Sequence, residues 1–210
     1  SVTFDKTAPT LSSVSIASNN SPGPTTHAKV GHEVILSFTA GEAIKTNPTV
    51  VFQSGGAAIT NAGAITYANP SGNNWTAKYT AHTNDTAGNI TFSIDFDDLA
   101  GNDGVDVTAV TDGTSVTFDK TVPTLTSVSI ASDNSTTTLA KVGDEITLSF
   151  TASESVHTPV VTFKSGSNNI STADVVAGSG TTWTAKYTAN SSDTDGAVTF
   201  TIAFEDLATN

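Results

Sequence analysis

The feature that most constrains this chain is a segment that occurs twice. Residues 1–18 read SVTFDKTAPTLSSVSIAS and residues 115–132 read SVTFDKTVPTLTSVSIAS, so the copies differ at only two positions. A self-match of this length at a fixed offset is typical of tandem arrays in which each repeat is one structural unit. The 210-residue chain is therefore expected to contain two domains of roughly 100 residues, each large enough for its own core.

Each copy of the segment combines two strand patterns with a proline-containing connection. The first pattern places Val2 and Phe4, or Val116 and Phe118, on one face, and the sequence Asp-Lys-Thr-x-Pro-Thr follows. Proline has no N–H to give to a sheet and biases the residue before it towards an extended conformation. The segment is therefore predicted to be the last strand of one domain, a stiff joint, and the first strand of the next.

Apolar and polar residues alternate over short runs throughout both repeats, which is the pattern of half-buried strands. The clearest run covers residues 145–151, and its counterpart in the first repeat covers residues 33–39. No window of a dozen residues has a helical stripe. About seven such strands in each repeat, separated by turn-rich segments, predict an all-β chain of two tandem immunoglobulin-like β-sandwich domains with antiparallel strands.

The repeat also predicts the domain boundaries. Residues 1–7 are expected to be the spare last strand and joint of a preceding repeat, residues 8–118 the first domain, and residues 119–210 the second. The second repeat reaches only the segment 206–210, which matches 98–102 of the first, so it is expected to lack its own last strand. Two explanations stay open: a boundary within a longer array, or a slot that the N-terminal strand of another copy fills.

The charge balance excludes several function classes. The chain has 20 acidic residues against 8 lysines and no arginine, and its formal net charge is −12. Without a basic stripe it is not expected to bind nucleic acid or an anionic membrane surface. The absence of cysteine excludes disulfides and thiol chemistry. No apolar run approaches the about 20 residues that span a bilayer, so no membrane insertion of this segment is expected.

Several motifs recur along nearly the whole chain. They are the Asp-Lys-Thr-x-Pro-Thr joint, Ala-Lys-Val-Gly-(Asp/His)-Glu at 28–33 and 140–145, Phe-Thr-Ala-(Ser/Gly)-Glu at 38–42 and 150–154, Ser-Asp-Thr-Asp-Gly at 192–196, and Asp-Leu-Ala-Gly-Asn at 98–102. As a set they resemble the bacterial immunoglobulin-like tandem repeats of long extracellular adhesins and surface fibre proteins. The resemblance implies an extracellular, cell-surface location. Departures occur at Gly41, where the pattern has Ser, and at Ala208–Asn210, which lacks the Gly.

Acidic residues are concentrated in the loops that follow the second and sixth strands. In the immunoglobulin strand order these loops lie at the same pole as the entering joint. The candidate metal ligands at that pole are Asp5, Glu42, Asp97, Asp98 and Asn102 in the first repeat, and Asp119, Glu154, Glu205, Asp206 and Asn210 in the second. Such oxygen donors, without arginine, suit Ca²⁺, which takes 6–8 oxygen ligands, and the resemblance also implies Ca²⁺ at such joints. The alternative is a set of solvated loop acids with Lys6 or Lys120 as partners.

No catalytic pattern accompanies these acids. The histidines do not repeat as a paired set, and neither a Gly-x-Ser-x-Gly motif nor a Gly-rich phosphate loop is present. The first interpretation is therefore a non-enzymatic structural repeat, stiffened by Ca²⁺ and polymerising by head-to-tail strand complementation, whose partners are neighbouring repeats or other copies of itself. The alternative is a glycan-binding adhesin module whose partners are cell-surface glycans. Trp75 and Trp183 could then stack on sugars, although their alternating runs favour core packing.

Overall fold

The computed structural model of the chain shows an all-β protein. It describes residues 2–45, 48–60, 64–166, 168–170 and 174–210. These residues form two compact units, Ser1–Lys120 and Thr121–Ala208. Ser1 of the predicted spare strand lies outside the described residues, among which no helix is long and apolar enough to cross a membrane.

In the described part of the first unit, the strands form two facing sheets. The strands are β1 (Leu11–Ser18), β2 (His27–Ala28), β3 (Glu33–Ala40), β4 (Thr49–Ser54), β5 (Ala57–Ala58), β6 (Thr66–Ser71), β7 (Asn74–Thr80), β8 (Gly88–Asp95) and β9 (Thr117–Phe118). One sheet has the order β1-β3-β7-β6 and the other the order β2-β9-β8-β4-β5. This is the strand order of an immunoglobulin-like sandwich, as predicted. The pairing of β2 with β9 is parallel, whereas the prediction had antiparallel strands throughout.

Alternation along the strands puts one face of each strand into the core. Because β3 and β7 are antiparallel, Leu36 lies opposite Ala77 and Phe38 opposite Trp75. All four side chains are at most 6 % exposed. The intervening residues of β3 are only partly buried. The prediction that Trp75 packs in the core is thus confirmed, and the period of two in the sequence is the physical reason.

The last strand, β9, closes the first sandwich. Val116 and Phe118 are 0 % and 1 % exposed. The backbone N–H of Ile90 donates to the carbonyl of Val116 (2.8 Å), and that of Thr117 donates to the carbonyl of Thr26 (2.9 Å). The strand is therefore bonded on both of its edges, to β8 and to the segment that contains β2.

In the described part of the second unit the strands again form two sheets. The strands are β10 (Leu125–Ser132), β11 (Glu145–Ala152), β12 (Val160–Ser165), β13 (Asn168–Asn169), β14 (Asp174–Ser179), β15 (Thr182–Thr188) and β16 (Val198–Ala203). Their orders are β10-β11-β15-β14 and β13-β12-β16. These are the orders of the first unit without counterparts of β2 and β9. Among the described residues of the second unit no strand corresponds to β9, as predicted.

Residues 2–7, predicted as part of the spare last strand and joint of a preceding repeat, lie outside both sheets of the first unit. Val2 and Phe4 are 99 % and 86 % exposed, and no described residue before Leu11 belongs to a sheet. In the first unit the corresponding position is held by β9, whose residues Thr117 and Phe118 repeat Thr3 and Phe4 in sequence.

Removing a buried ring from the first core should destabilise the first unit strongly. Phe52 is 1 % exposed and its ring centroid lies 4.9 Å from that of Tyr79. Phe52→Ala is expected to lower the free energy of unfolding by about 3–5 kcal/mol. The neighbouring Val51, which is 46 % exposed, provides the control: Val51→Ala should cost less than about 1 kcal/mol. Calorimetric unfolding of the two variants measures the loss of unfolding free energy in each. Equal losses would contradict the conclusion that Phe52 faces the core and Val51 faces solvent.

Candidate metal site at the joint

Three carboxylates of the first unit meet where the joint enters the sandwich. Asp5 lies in the joint, Glu42 follows β3 and Asp98 follows β8. One carboxylate oxygen of each residue lies within 4.8 Å of those of the other two. Because β3 and β8 belong to different sheets, this acid trio brings together the joint and both layers of the sandwich.

Asp98 is the buried member of the acid trio and is only 1 % exposed. Its Oδ1 accepts hydrogen bonds from the backbone N–H groups of Gly101 (2.7 Å) and Asn102 (2.8 Å). Its Oδ2 accepts one from the Asn102 side-chain amide (2.7 Å). The Asn102 side chain and these N–H groups hold the pKa of Asp98 below its ordinary value, against the effect of burial. The carboxylate is therefore ionised and fixed in orientation at neutral pH.

Asp97, another predicted ligand, has a different partner. Its Oδ2 lies 2.8 Å from Nζ of Lys45, and this hydrogen bond lowers the pKa of Asp97. The hydrogen bond that the protonated Asp103 side chain donates to Asp97, together with the negative charge of Asp97, raises the pKa of Asp103. The structure thus places Asp97 in a separate carboxyl pair with Asp103 and does not bring it into the acid trio.

The second unit repeats part of the arrangement. A carboxylate oxygen of Glu154 lies within 4.8 Å of one of Asp206, and Asp206 is 1 % exposed. Asn210 donates its backbone N–H to Oδ1 of Asp206 (2.9 Å) and its side-chain amide to Oδ2 (2.9 Å). The turn that orients the buried aspartate in the first unit therefore recurs in the second.

Two predicted ligands of the second repeat, Glu205 and Asp119, take part in backbone hydrogen bonds. The carbonyl of Glu205 accepts the N–H of His157 (2.9 Å). The N–H of Asp119 donates to the carbonyl of Ala28 (2.8 Å) at the end of β9. Asp119 belongs to the first compact unit, so the second unit by itself contributes Glu154 and Asp206.

The alternative partner considered for the acids, Lys120, is directed elsewhere. Its Nζ donates to the carbonyl oxygens of Thr83 (3.0 Å) and Asp85 (2.8 Å). These carbonyls belong to residues 82–86, the turn before β8, which we call the lysine-binding turn. Lys120 is therefore one part of the attachment of the joint to the first unit.

The lysine-binding turn depends on a buried carboxylate that is not among the predicted metal ligands. Asp85 is 2 % exposed, and its side chain accepts the N–H groups of Thr60 (2.7 Å) and His82 (2.8 Å). Burial by itself would raise the pKa of Asp85, but the hydrogen bonds from His82 and Thr60 outweigh it and lower the pKa. The signal available in the sequence was an aspartate five residues after the end of β7, in the turn-rich segment that precedes β8.

No protein-family model and no curated protein matches this chain. Solved structures that align with it include tandem immunoglobulin domains of titin. Titin Ig tandem domains A164–A165 align over 93 % of this chain and 94 % of theirs, with 12 % identity and a TM-score of 0.28. The titin domains Z1Z2 in complex with telethonin align over 96 % of both chains, with 13 % identity and a TM-score of 0.30. The immunoglobulin-like assignment rests on the strand order within each unit.

Replacing the buried aspartate should reveal its contribution through pH. Asp98→Asn is expected to lower the Tm of the first unit by several degrees at pH 7 in EDTA, because the amide cannot accept the same set of N–H groups. Since folding lowers the pKa of Asp98, its stabilisation is present above the unfolded carboxyl value of about 3.9. It is lost as the pH falls through the folded value.

The Tm difference between wild type and Asp98→Asn should therefore shrink as the pH is lowered from 7 to 2. Asp106→Asn, at an exposed loop position, is the control and should show no comparable difference at either pH. If the Tm difference between wild type and Asp98→Asn stayed constant with pH, it would contradict the conclusion that Asp98 acts as an ionised carboxylate that accepts hydrogen bonds.

Proposed function

We propose that this chain is a non-enzymatic structural segment of an extracellular bacterial surface protein or filament, in which Ca²⁺ stiffens the joints between domains. One observation carries the proposal. Asp5, a residue of the joint, presents a carboxylate oxygen within 4.8 Å of those of Glu42 and Asp98, which belong to the sandwich. A cation bound by all three would hold the joint to the domain that it enters.

The donor set fits a hard cation. Three carboxylates concentrate negative charge in a small volume, and like charges so close repel one another unless a cation or a proton intervenes. Protonation is opposed at Asp98, whose pKa is lowered. The amide oxygen of Asn102, backbone carbonyls and water can supply the further ligands that Ca²⁺ requires. Zinc prefers histidine and cysteine ligands; the chain has no cysteine and the acid trio has no histidine.

The same site is proposed at the second joint. Asp119 is the sequence counterpart of Asp5, and Glu154 and Asp206 are the counterparts of Glu42 and Asp98. The turn around Asp206 has two of the three hydrogen bonds described around Asp98, both from Asn210. Two cations in equivalent places would give the chain joints of equal stiffness, which suits a spacer.

The alternative function, a glycan-binding adhesin module, has less support. Trp75 and Trp183 are 6 % and 5 % exposed, so neither indole face is available as a stacking platform for a sugar. The indole N–H of Trp183 donates to the carbonyl of Gly180 (3.0 Å). Both tryptophans therefore pack in the hydrophobic cores of their units.

Calcium should stabilise the protein and magnesium should do so less, because Mg²⁺ dehydrates reluctantly and demands a stricter geometry. Adding Ca²⁺ to EDTA-treated protein at about 100 times its Kd is expected to stabilise a binding unit by about 2.7 kcal/mol. Differential scanning calorimetry measures the rise in Tm, and isothermal titration measures the binding itself.

Glu42→Gln should remove most of the calcium response of the first unit, because one carboxylate of the acid trio is lost. Asp106→Asn, outside the trio, should keep it. A Tm that does not change on going from EDTA to Ca²⁺, together with the absence of a binding heat, would refute the calcium part of the proposal.

The spacer and adhesin functions are separated by two observations made on the same sample. Negative-stain images are expected to show thin rods or fibres, and a glycan array is expected to show no binding. Selective binding to one class of glycan by particles that form no rods would favour the adhesin function instead.

A further inference from the structure

Two histidines of the first unit accept hydrogen bonds from the backbone through a ring nitrogen. The Nδ1 atom of His32 accepts the N–H of Lys29 (3.3 Å), and that of His82 accepts the N–H of Asn84 (3.2 Å). A backbone N–H can only donate, so each Nδ1 must offer a lone pair and the ring proton must lie on Nε2. Both contacts therefore require a neutral imidazole of one tautomer.

The bond from Lys29 fixes a peptide that holds the end of β9. Because a peptide unit is planar, the N–H of Lys29 turns together with the carbonyl of Ala28. That carbonyl accepts the N–H of Asp119 (2.8 Å), the residue that follows β9. The ring of His32 thus orients a carbonyl to which the joint is bonded.

The bond from Asn84 does the same in the lysine-binding turn. The N–H of Asn84 shares its peptide plane with the carbonyl of Thr83, which accepts a hydrogen bond from Nζ of Lys120 (3.0 Å). The ring of His82 thus orients a carbonyl that binds the next residue of the joint. Two histidines from different loops therefore support two consecutive residues, Asp119 and Lys120.

In the second unit an aspartate takes the place of His32. The Oδ2 atom of Asp144 accepts the N–H of Lys141 (2.9 Å), which is the counterpart of the bond from Lys29. Hydrogen bonds from Asn134 and Lys141 lower the pKa of Asp144 to about 2. This acceptor therefore stays ionised throughout the pH range in which histidine titrates.

An asparagine takes the place of His82. The Oδ1 atom of Asn190 accepts the N–H of Ser192 (2.8 Å), the counterpart of the bond from Asn84. A side-chain amide neither gains nor loses a proton in this pH range. The two units thus have the same two backbone contacts, but only in the first unit can a proton near neutral pH remove the acceptors.

We propose that His32 and His82 make the attachment of the joint to the first unit sensitive to acid. A proton on Nδ1 replaces each lone pair with an N–H that points at a backbone N–H. The hydrogen bond is lost, the two donors repel each other, and the carbonyls bonded to Asp119 and Lys120 lose their fixed orientation. The closing strand β9 and the joint are then held less firmly at about pH 5 than at neutral pH, since histidine ordinarily titrates at about 6.5.

The surroundings of His32 favour this response. Burial and the positive charge of Lys29 lower the pKa of His32. Because its folded value lies below the unfolded value of about 6.5, the stabilisation is complete above that value and is lost as the pH falls through the folded value. The adjacent carboxylate of Glu33 is paired with Lys78 of β7 (2.9 Å), so its charge is already balanced.

Two opposite charges lie in the turn that contains His82. Nζ of Lys120 is bonded to its carbonyls, and Asp85 is its buried carboxylate. The oxygens of Asp85 accept the N–H groups of Thr60 and His82, so Asp85 does not replace the acceptor that a protonated ring withdraws. Tyr79, whose pKa is raised by burial and by the charge of Asp85, stays neutral throughout this pH range.

Hydrogen exchange of the closing strand tests the proposal. The double variant His32→Asp, His82→Asn carries the acceptor types of the second unit at both positions. At about pH 5 the protection factors of residues 114–120 should be at least about tenfold lower in wild type than in the double variant, because the lost acceptors leave donors unpaired. At about pH 7.5 the two proteins should agree within about twofold, since histidine is then neutral.

His27→Gln is the matched control. Nδ1 of His27 lies 3.1 Å from Oγ1 of Thr26, and a hydroxyl can donate or accept, so this contact survives in both protonation states. The variant should therefore keep the loss of protection that wild type shows between about pH 7.5 and about pH 5. If His27→Gln abolished that loss, the response would belong to β2 and the proposal would be overturned.

Nitrogen NMR of the wild-type protein provides a measurement that needs no variant. At about pH 7.5 the ring proton of both His32 and His82 should lie on Nε2. A proton on Nδ1 of either ring at that pH would overturn the proposal. Equal protection of wild type and the double variant at about pH 5 would do the same, and would assign any response to acid to the carboxylates.

This regulation is additional to the structural function proposed above and does not depend on Ca²⁺. All exchange measurements are made in EDTA, so the acid trio holds no cation in any sample. A Tm that ignores Ca²⁺ would refute the calcium site and leave the exchange result unaffected. Equal exchange in wild type and the double variant would overturn the role of the histidines alone.

Discussion

The burial of β9 between β2 and β8 is the interaction on which the first sandwich depends. Val116 and Phe118 supply apolar contacts to the core, and the backbone is bonded on both edges. The same stretch of chain continues without interruption into Asp119 and Lys120. Closing strand and joint are therefore one segment, so a change in one alters the other. This coupling accounts for the near identity of the two 18-residue segments, whereas the surface loops of the two units differ.

Consecutive residues of this segment face different surroundings. Phe118 packs inward at the end of β9, whereas Lys120, two residues on and beyond the strand, reaches the carbonyls of the lysine-binding turn. In the other copy Asp5 meets the carboxylates of Glu42 and Asp98. A segment of a few residues thus combines apolar burial, a charge-assisted hydrogen bond and a carboxylate. Together these interactions fix both its position and its direction.

Comparison of the two units separates the part of the fold that needs the closing strand from the part that does not. In the second unit β10 still pairs with β11, with Val128 opposite Phe150 and Ile130 opposite Leu148. Yet Val128 and Ile130 stay more than a third exposed. The hydrogen-bonded sheet therefore forms from its own strands, whereas its inner face is less completely buried than that of the first unit, where β9 closes the sandwich.

The sequence by itself determined the two-fold repeat, the strands and their inward faces, because these follow from local alternation and from the self-match of the joint. It also identified the pole at which the acids collect. Only the tertiary structure decided which acids meet. Asp97 and Asp98 are neighbours on a chain whose side chains alternate, so they point in opposite directions. Asp97 faces Lys45, whereas Asp98 is part of the acid trio. The period of two predicts that they separate but not which one turns inward. That choice depends on the turn in which Asn102 folds back to bond Asp98, a contact that exists only once the chain has folded.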